Sequence, residues 1–240
     1  MKRSMYCAMI ADIRDSKKMD IKQRKNVQEK LKLTLETFNK AHKKKLATSL
    51  DFSRGDQIQA LFYSPLDAYD FACMFRAELF PVRFRIGLGV GDWAIKVKGG
   101  NSNAQDGTSY HNAAKAFEKA HAEEKGMAFF SGEEADAILN VLMTNEDRIF
   151  NCQTNLQKEI AKQCTLSEPI APEMKRDAFG INTVFYKKGS QKWIAEHMKT
   201  SRQNISQQIK RGKIYEQREL KAAVAILLQQ HCNEKGRWQR

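Results

Sequence analysis

The stretch from Ala47 to Tyr63 constrains the fold of this chain more than any other. Ala47 to Phe52 and Gln57 to Tyr63 are apolar-rich runs, with Ile58 set between Gln57 and Gln59, and Ser53-Arg54-Gly55-Asp56 lies between them. Two such runs around a glycine turn read as a β-hairpin, so they must be antiparallel neighbours. Before it, Met5 to Ala11 reads as a buried strand ending at Asp12. Asp20 to Leu46 then reads as a helix, with Val27, Leu31, Leu35 and Phe38 on one stripe and lysines opposite. After the hairpin, Pro65 opens a second helix with Leu66, Tyr69, Phe71, Ala72 and Phe75 toward a core. Val82 to Val90 alternates strictly, with Gly87 and Gly89 where another backbone must pass closely.

This is the β-α-β-β-α-β, or ferredoxin-like, order. The expected fold class is α+β: a palm-type domain with helical extensions over 1–180, and a small all-α module over 187–240. In such a sheet the first and third strands are central, antiparallel neighbours. Asp12 ends the first and Asp56 begins the third, so both belong on one sheet edge. Adjacent strands lie about 4.8 Å apart, a spacing at which two carboxylates share a cation. Asp12 and Asp56 are therefore candidates for a divalent-metal and nucleotide site, against the alternative that both merely cap turns. Arg14 and Arg54 could meet phosphate oxygens, and Gly55 serves the turn conformation.

Further along, Trp93 to Lys98 could extend the sheet, and Asp106-Gly107-Thr108-Ser109 reads as the cap of a helix with Ala113, Ala116, Phe117 and Ala120 inward. Met127 to Phe130 reads as a short strand. Residues 133–164 read as mainly helical, with Leu142, Ile149, Leu156 and Ile160 buried. Pro169 and Pro172 mark an irregular stretch, with a linker from there to Ser190.

The net charge of +13 is unevenly spread: residues 181–240 hold thirteen Lys/Arg against four Glu, or +9. A basic module that attracts phosphate backbones, DNA foremost, accounts for this, as would a merely solvated surface. Five cysteines without CxxC spacing, and histidines without ligand spacing, argue against zinc and for reduced thiols. The longest apolar run, Ala222 to Leu228, is too short to span a bilayer, and no cleavable signal follows Met1. A cytoplasmic protein without a membrane partner is expected.

Within the basic quarter, Ile194, Ala195 and Met198 face one way on a short helix, and Thr200-Ser201 caps a second with Ile205 and Ile209 inward. The pattern resembles the helix-turn-helix of repressors, with Lys199 in place of the usual turn glycine. Ser201, Arg202, Gln203, Ser206, Gln207, Lys210 and Arg211 would form the DNA-reading surface. The following helix, Tyr215 to Gln230, would pack under this pair or join two copies. A homodimer is expected, because one such module reads only a half-site.

Ala11-Asp12-Ile13-Arg14-Asp15-Ser16, Arg54-Gly55-Asp56-Gln57-Ile58-Gln59 and Arg85-Ile86-Gly87-Leu88-Gly89-Val90-Gly91, in that order, resemble the SatD family of bacterial proteins. More distantly they are similar to class III nucleotidyl cyclases and GGDEF-type palm domains. The resemblance implies that Asp12 and Asp56 hold Mg²⁺ or Mn²⁺, with the Ile13 carbonyl as an added ligand. The ions would clamp a nucleoside triphosphate or another nucleotide and activate a hydroxyl. Gln57 is neutral where the pattern is commonly acidic. Three functions follow: a regulator binding nucleotide, metal and DNA; an active cyclase or transferase with Asp12 and Asp56 catalytic; or a DNA-binding protein whose palm serves as a dimerisation core.

Overall fold

The computed structural model describes residues 5–53, 55–97, 104–167, 172–176, 182–185 and 190–235. A five-stranded mixed sheet is built from β1 (Tyr6–Ile13), β2 (Leu46–Phe52), β3 (Ile58–Phe62), β4 (Phe84–Gly91) and β5 (Met127–Phe130), in the order β2-β3-β1-β4-β5. β1 pairs antiparallel with both β3 and β4, and β5 joins β4 in parallel. The first four strands thus take the order expected from the sequence.

Alternation along the strands sorts side chains into two layers. Cys7, Met9, Ala11 and Ile13, with Ile58, Ala60 and Phe62 and with Phe84 to Val90 at even numbers, enter the main core. There they meet α1 (Ile21–Ala41) through Leu31, Leu35 and Phe38, and α2 (Pro65–Glu78) through Tyr69, Phe71, Ala72 and Phe75. Both helices begin where their sequences say. Asp20 and Gln23 form a reciprocal capping box, and Ser64 accepts from the Asp67 amide one residue before Pro65. α1 stops at Ala41, short of the Leu46 expected, because Leu46 is needed as the first residue of β2.

On the opposite face lies α3 (Thr108–Ala122). Gly87, Gly89 and Gly91 of β4 present no side chain to it. A Cβ at Gly89 would stand 1.9 Å from the Ala113 nitrogen, and one at Gly87 2.4 Å from the Ala113 oxygen. The alternating glycines therefore let a helix backbone lie directly on the sheet.

Some expectations need correction. Trp93 to Val97 adds no strand among the described residues; Ile95 makes a single bridge to Asp106. Asp106 does not cap α3. The Asp92 carboxylate does, accepting from the Thr108 amide at 2.9 Å and the Thr108 hydroxyl at 2.7 Å. The helical stretch divides at Gln153 into α4 (Ala135–Cys152) and α5 (Asn155–Ser167). Ile160 is buried as expected, but Ile149 is only half-buried and Leu156 is exposed. The stretch expected to be irregular includes an antiparallel pair, β6 (Glu173–Arg176) and β7 (Asn182–Phe185); Pro169 lies outside the described residues.

The C-terminal segment forms α6 (Gln191–His197), α7 (Arg202–Arg211) and α8 (Ile214–Lys235). Ile194, Ala195, Ile205, Ile209 and Ile214 make a second core with Ile160, Ala161 and Cys164 of α5. Farther along α8, Val224, Ala225 and Leu228 enter the main core. The last helix thus packs under the α6–α7 pair at its start and on the sheet layer thereafter.

Where α2, α4 and α8 meet, the interior is ionic. Arg76 Nη2 lies 2.6 Å from Asp147 Oδ1, and Arg76 Nη1 lies 3.4 Å from Glu146 Oε2. Lys221 Nζ lies 3.4 Å from Glu146 Oε1, which also accepts from Gln217. Burial alone would raise the Glu146 carboxyl, but Lys221 and Arg76 hold it below the usual range.

Candidate functional site

β1 delivers Asp12 as its penultimate residue, on the same side of the sheet as Tyr6, Ala8 and Ile10. The β1–β3 register runs from Cys7↔Phe62 to Ala11↔Ile58. Carried one step on, it sets Gln57 across from Asp12 and brings the turn residue Asp56 beside it. The turn is built for this. Gly55 sits at φ 60°, in the left-handed region, and the Ser53 amide closes the hairpin onto the Gln57 carbonyl at 2.8 Å. The Ser53 hydroxyl donates to Gln57 Oε1 at 2.9 Å, so the neutral Gln57 side chain braces the turn.

Asp12 and Asp56, both half-buried, lie side by side. Burial first, then the charge and the close approach of the Asp56 carboxyl, raise the Asp12 carboxyl above its ordinary range. The Ile13 amide and the charge of Arg85 act the other way. Arg85 is the β4 residue directly opposite Asp12. Among the described residues no basic side chain forms an ion pair with either carboxylate.

Two neighbouring carboxyl groups without a basic partner are a fitting donor set for a divalent ion, whose charge would offset their mutual repulsion. The described residues contain no cluster of three or more His, Cys, Asp or Glu suited to a metal. Two carboxylates would leave water, carbonyl and phosphate oxygens to complete the shell, as Mg²⁺ commonly accepts. Ile13 contributes its N–H to Asp12 and its side chain to the core.

The other residues singled out from the sequence are placed variously. Arg54 lies outside the described residues. Arg14 lines a separate recess with Arg83, Asn151 and Lys158. Asp15 pairs with Lys18 at 2.7 Å on the surface. On α7, Ser201, Arg202, Gln203, Ser206, Gln207, Lys210 and Arg211 are all exposed, while Ile205 and Ile209 are buried. The Ser201 hydroxyl caps that helix by accepting from the Asn204 amide at 3.1 Å. Lys199 takes φ 51° in the turn before it.

Sequence reasoning missed Arg85 and Asp92. Alternation along β4 puts Arg85 on the Asp12 side, so the β1–β4 register would have found it; nothing local signals the reach of Asp92 to α3.

No helix among the described residues is long and apolar enough to cross a membrane. No match was found among curated proteins. Among solved structures the chain is similar to a bacterial light-regulated adenylyl cyclase (14% identity, 88% of this chain and 100% of that one, TM-score 0.36). It is also similar to the adenylyl cyclase CyaB from P. aeruginosa (8% identity, 79% and 95%, TM-score 0.36). A third similarity is to a dimeric guanylyl cyclase domain from the aquatic fungus Blastocladiella emersonii (12% identity, 48% and 85%, TM-score 0.31). The SatD family model matches residues 6–227, and the chain belongs to the SatD family.

Proposed function

We propose that this SatD-family protein binds a nucleotide with a divalent cation at Asp12 and Asp56, and DNA through α7. The observation that carries the first half is the juxtaposition of the two carboxyl groups, which come from β1 and the β2–β3 turn. Mg²⁺ or Mn²⁺ held there would neutralise phosphate charge, with the Ile13 carbonyl as an added ligand. Gly55 shapes the turn, and Arg54, beside it in sequence, is a candidate to meet a phosphate oxygen.

In the second half, α6 and α7 act as a helix-turn-helix. The left-handed Lys199 supports that reading, as do the buried Ala195, Ile205 and Ile209 and the exposed cap Ser201 with six exposed polar or basic residues of α7. Arg202 and Gln203 suit base edges, and Lys210 and Arg211 suit phosphates. A homodimer would present two such helices to two half-sites, with nucleotide occupancy altering their disposition.

Thermal melts with ATP or GTP plus Mg²⁺ or Mn²⁺ test the first half. The wild type is stabilised, and Asp56→Asn abolishes that effect while leaving DNA binding intact. Unchanged stabilisation in the variant removes the site. Labelled nucleotide in the same mixtures separates a binding site from a cyclase or transferase, which would release pyrophosphate.

A further inference from the structure

At the end of the sheet where β1 finishes and β4 begins, the chain encloses a second recess that the Asp12–Asp56 site does not use. Its walls come from α2, the start of β4, the end of α4, and α5. The ionic cluster of Arg76, Glu146, Asp147 and Lys221 lies at its inner end, and those four charges answer one another. Four further cations line it without a comparable partner. Arg83 donates at 2.8 Å to Asn151, a neutral amide. Lys158 stands over the Phe150 ring, 5.2 Å from its centre. Lys162, with a side chain only 18% exposed, has Glu159 no nearer than 3.8 Å. Arg14 keeps a buried Nε without a hydrogen-bond acceptor.

Four converging cations, one with an unanswered buried donor, make a site that favours an anion. Size decides which. The cavity holds about 50 Å³. A water needs roughly 10–15 Å³ measured in this way, so there is room for about three to five water-sized groups. A tetrahedral oxyanion fits. We propose that this recess binds a phosphate group, free or as a monoester, between Arg14 and Arg83 on one side and Lys158 and Lys162 on the other. Arg14 follows Asp12 by two residues, so this site adjoins the acid pair while using none of its oxygens.

The test is calorimetric titration of the full chain with inorganic phosphate and, in parallel, ethyl phosphate. EDTA is present so that no metal-dependent binding contributes. Saturable binding of phosphate at least as tight as that of the ester assigns the free ion; tighter binding of the ester assigns an organic monoester. Lys158→Gln/Lys162→Gln weakens either by about tenfold or more, since each charge-assisted contact carries at least about one factor of ten. Lys158→Arg/Lys162→Arg retains binding, which separates lost charge from lost fold. Absence of saturable binding by the wild type, or equal binding by the Gln variant, overturns the proposal.

Discussion

Asp147→Ala strands two buried partners at once. The carboxylate accepts from the Gly126 amide with one oxygen and from Arg76 with the other, at 2.6 Å. The Arg76 side chain is only 17% exposed, so water cannot readily take over. Removing one member of a buried pair costs about 3–5 kcal/mol, because the remaining charge stays desolvated. Glu146, 3.4 Å from the other Arg76 nitrogen, keeps part of that charge answered and puts the loss near the lower end. At about 2–4 °C per kcal/mol for a chain of this size, the melting temperature should fall by roughly 6–12 °C. Scanning calorimetry measures it. Asp147→Asn, which keeps an acceptor for Gly126, should lose less. Arg76→Met/Asp147→Leu should recover part of the loss, since the stranded charge is gone while the Gly126 amide still lacks its acceptor. A fall of less than about 2 °C for Asp147→Ala would refute the view that this cluster is a desolvated, interdependent unit.

Four other substitutions have expected outcomes. Gly89→Ala puts a methyl into the α3 backbone and should cost about 3 kcal/mol or more. Gly55→Ala meets nothing within 4 Å and should cost only about 1 kcal/mol, from its left-handed φ; hydrogen exchange over 108–122 and denaturant melts distinguish them. Because the folded Asp12 carboxyl is raised above its unfolded value, its contribution to stability is fully present at acid pH and is lost as pH rises through the folded value. The melting temperature of Asp12→Asn should therefore gain on the wild type with rising pH in metal-free buffer; a parallel pair of curves would contradict this. Arg202→Ala should weaken binding to a selected DNA site by about 1–3 kcal/mol, measured by fluorescence anisotropy. An equal loss on random DNA would reduce Arg202 to a phosphate contact.

The sheet and the acid pair were legible in the sequence because they rest on local periodicity and on strand order. The alternation of Val82 to Val90 was enough to infer that another backbone passes close to Gly87 and Gly89, and that backbone is α3. The adjacency of β1 and β3 was enough to bring Asp12 to Asp56. Where the decisive partner is distant and the signal polar, local reading fails. Glu146 and Asp147 look like solvent-facing charges on α4, and only the fold delivers Arg76 and Lys221 to them. The cap of α3 comes from Asp92, 16 positions before Thr108, whereas Asp106 sits where a local cap would. β6 was missed because Glu173-Met174-Lys175-Arg176 is exposed throughout and has no apolar alternation to betray it.

Central to the account is that Asp12 and Asp56 together hold a divalent cation when nucleotide is present. Calorimetric titration of the protein with ATP, with Mg²⁺ and with EDTA in its place, tests this most directly because it reads metal-dependent binding itself. The account predicts saturable, metal-dependent binding, lost in Asp56→Asn. Binding that persists in EDTA, or that survives in Asp56→Asn, would contradict it.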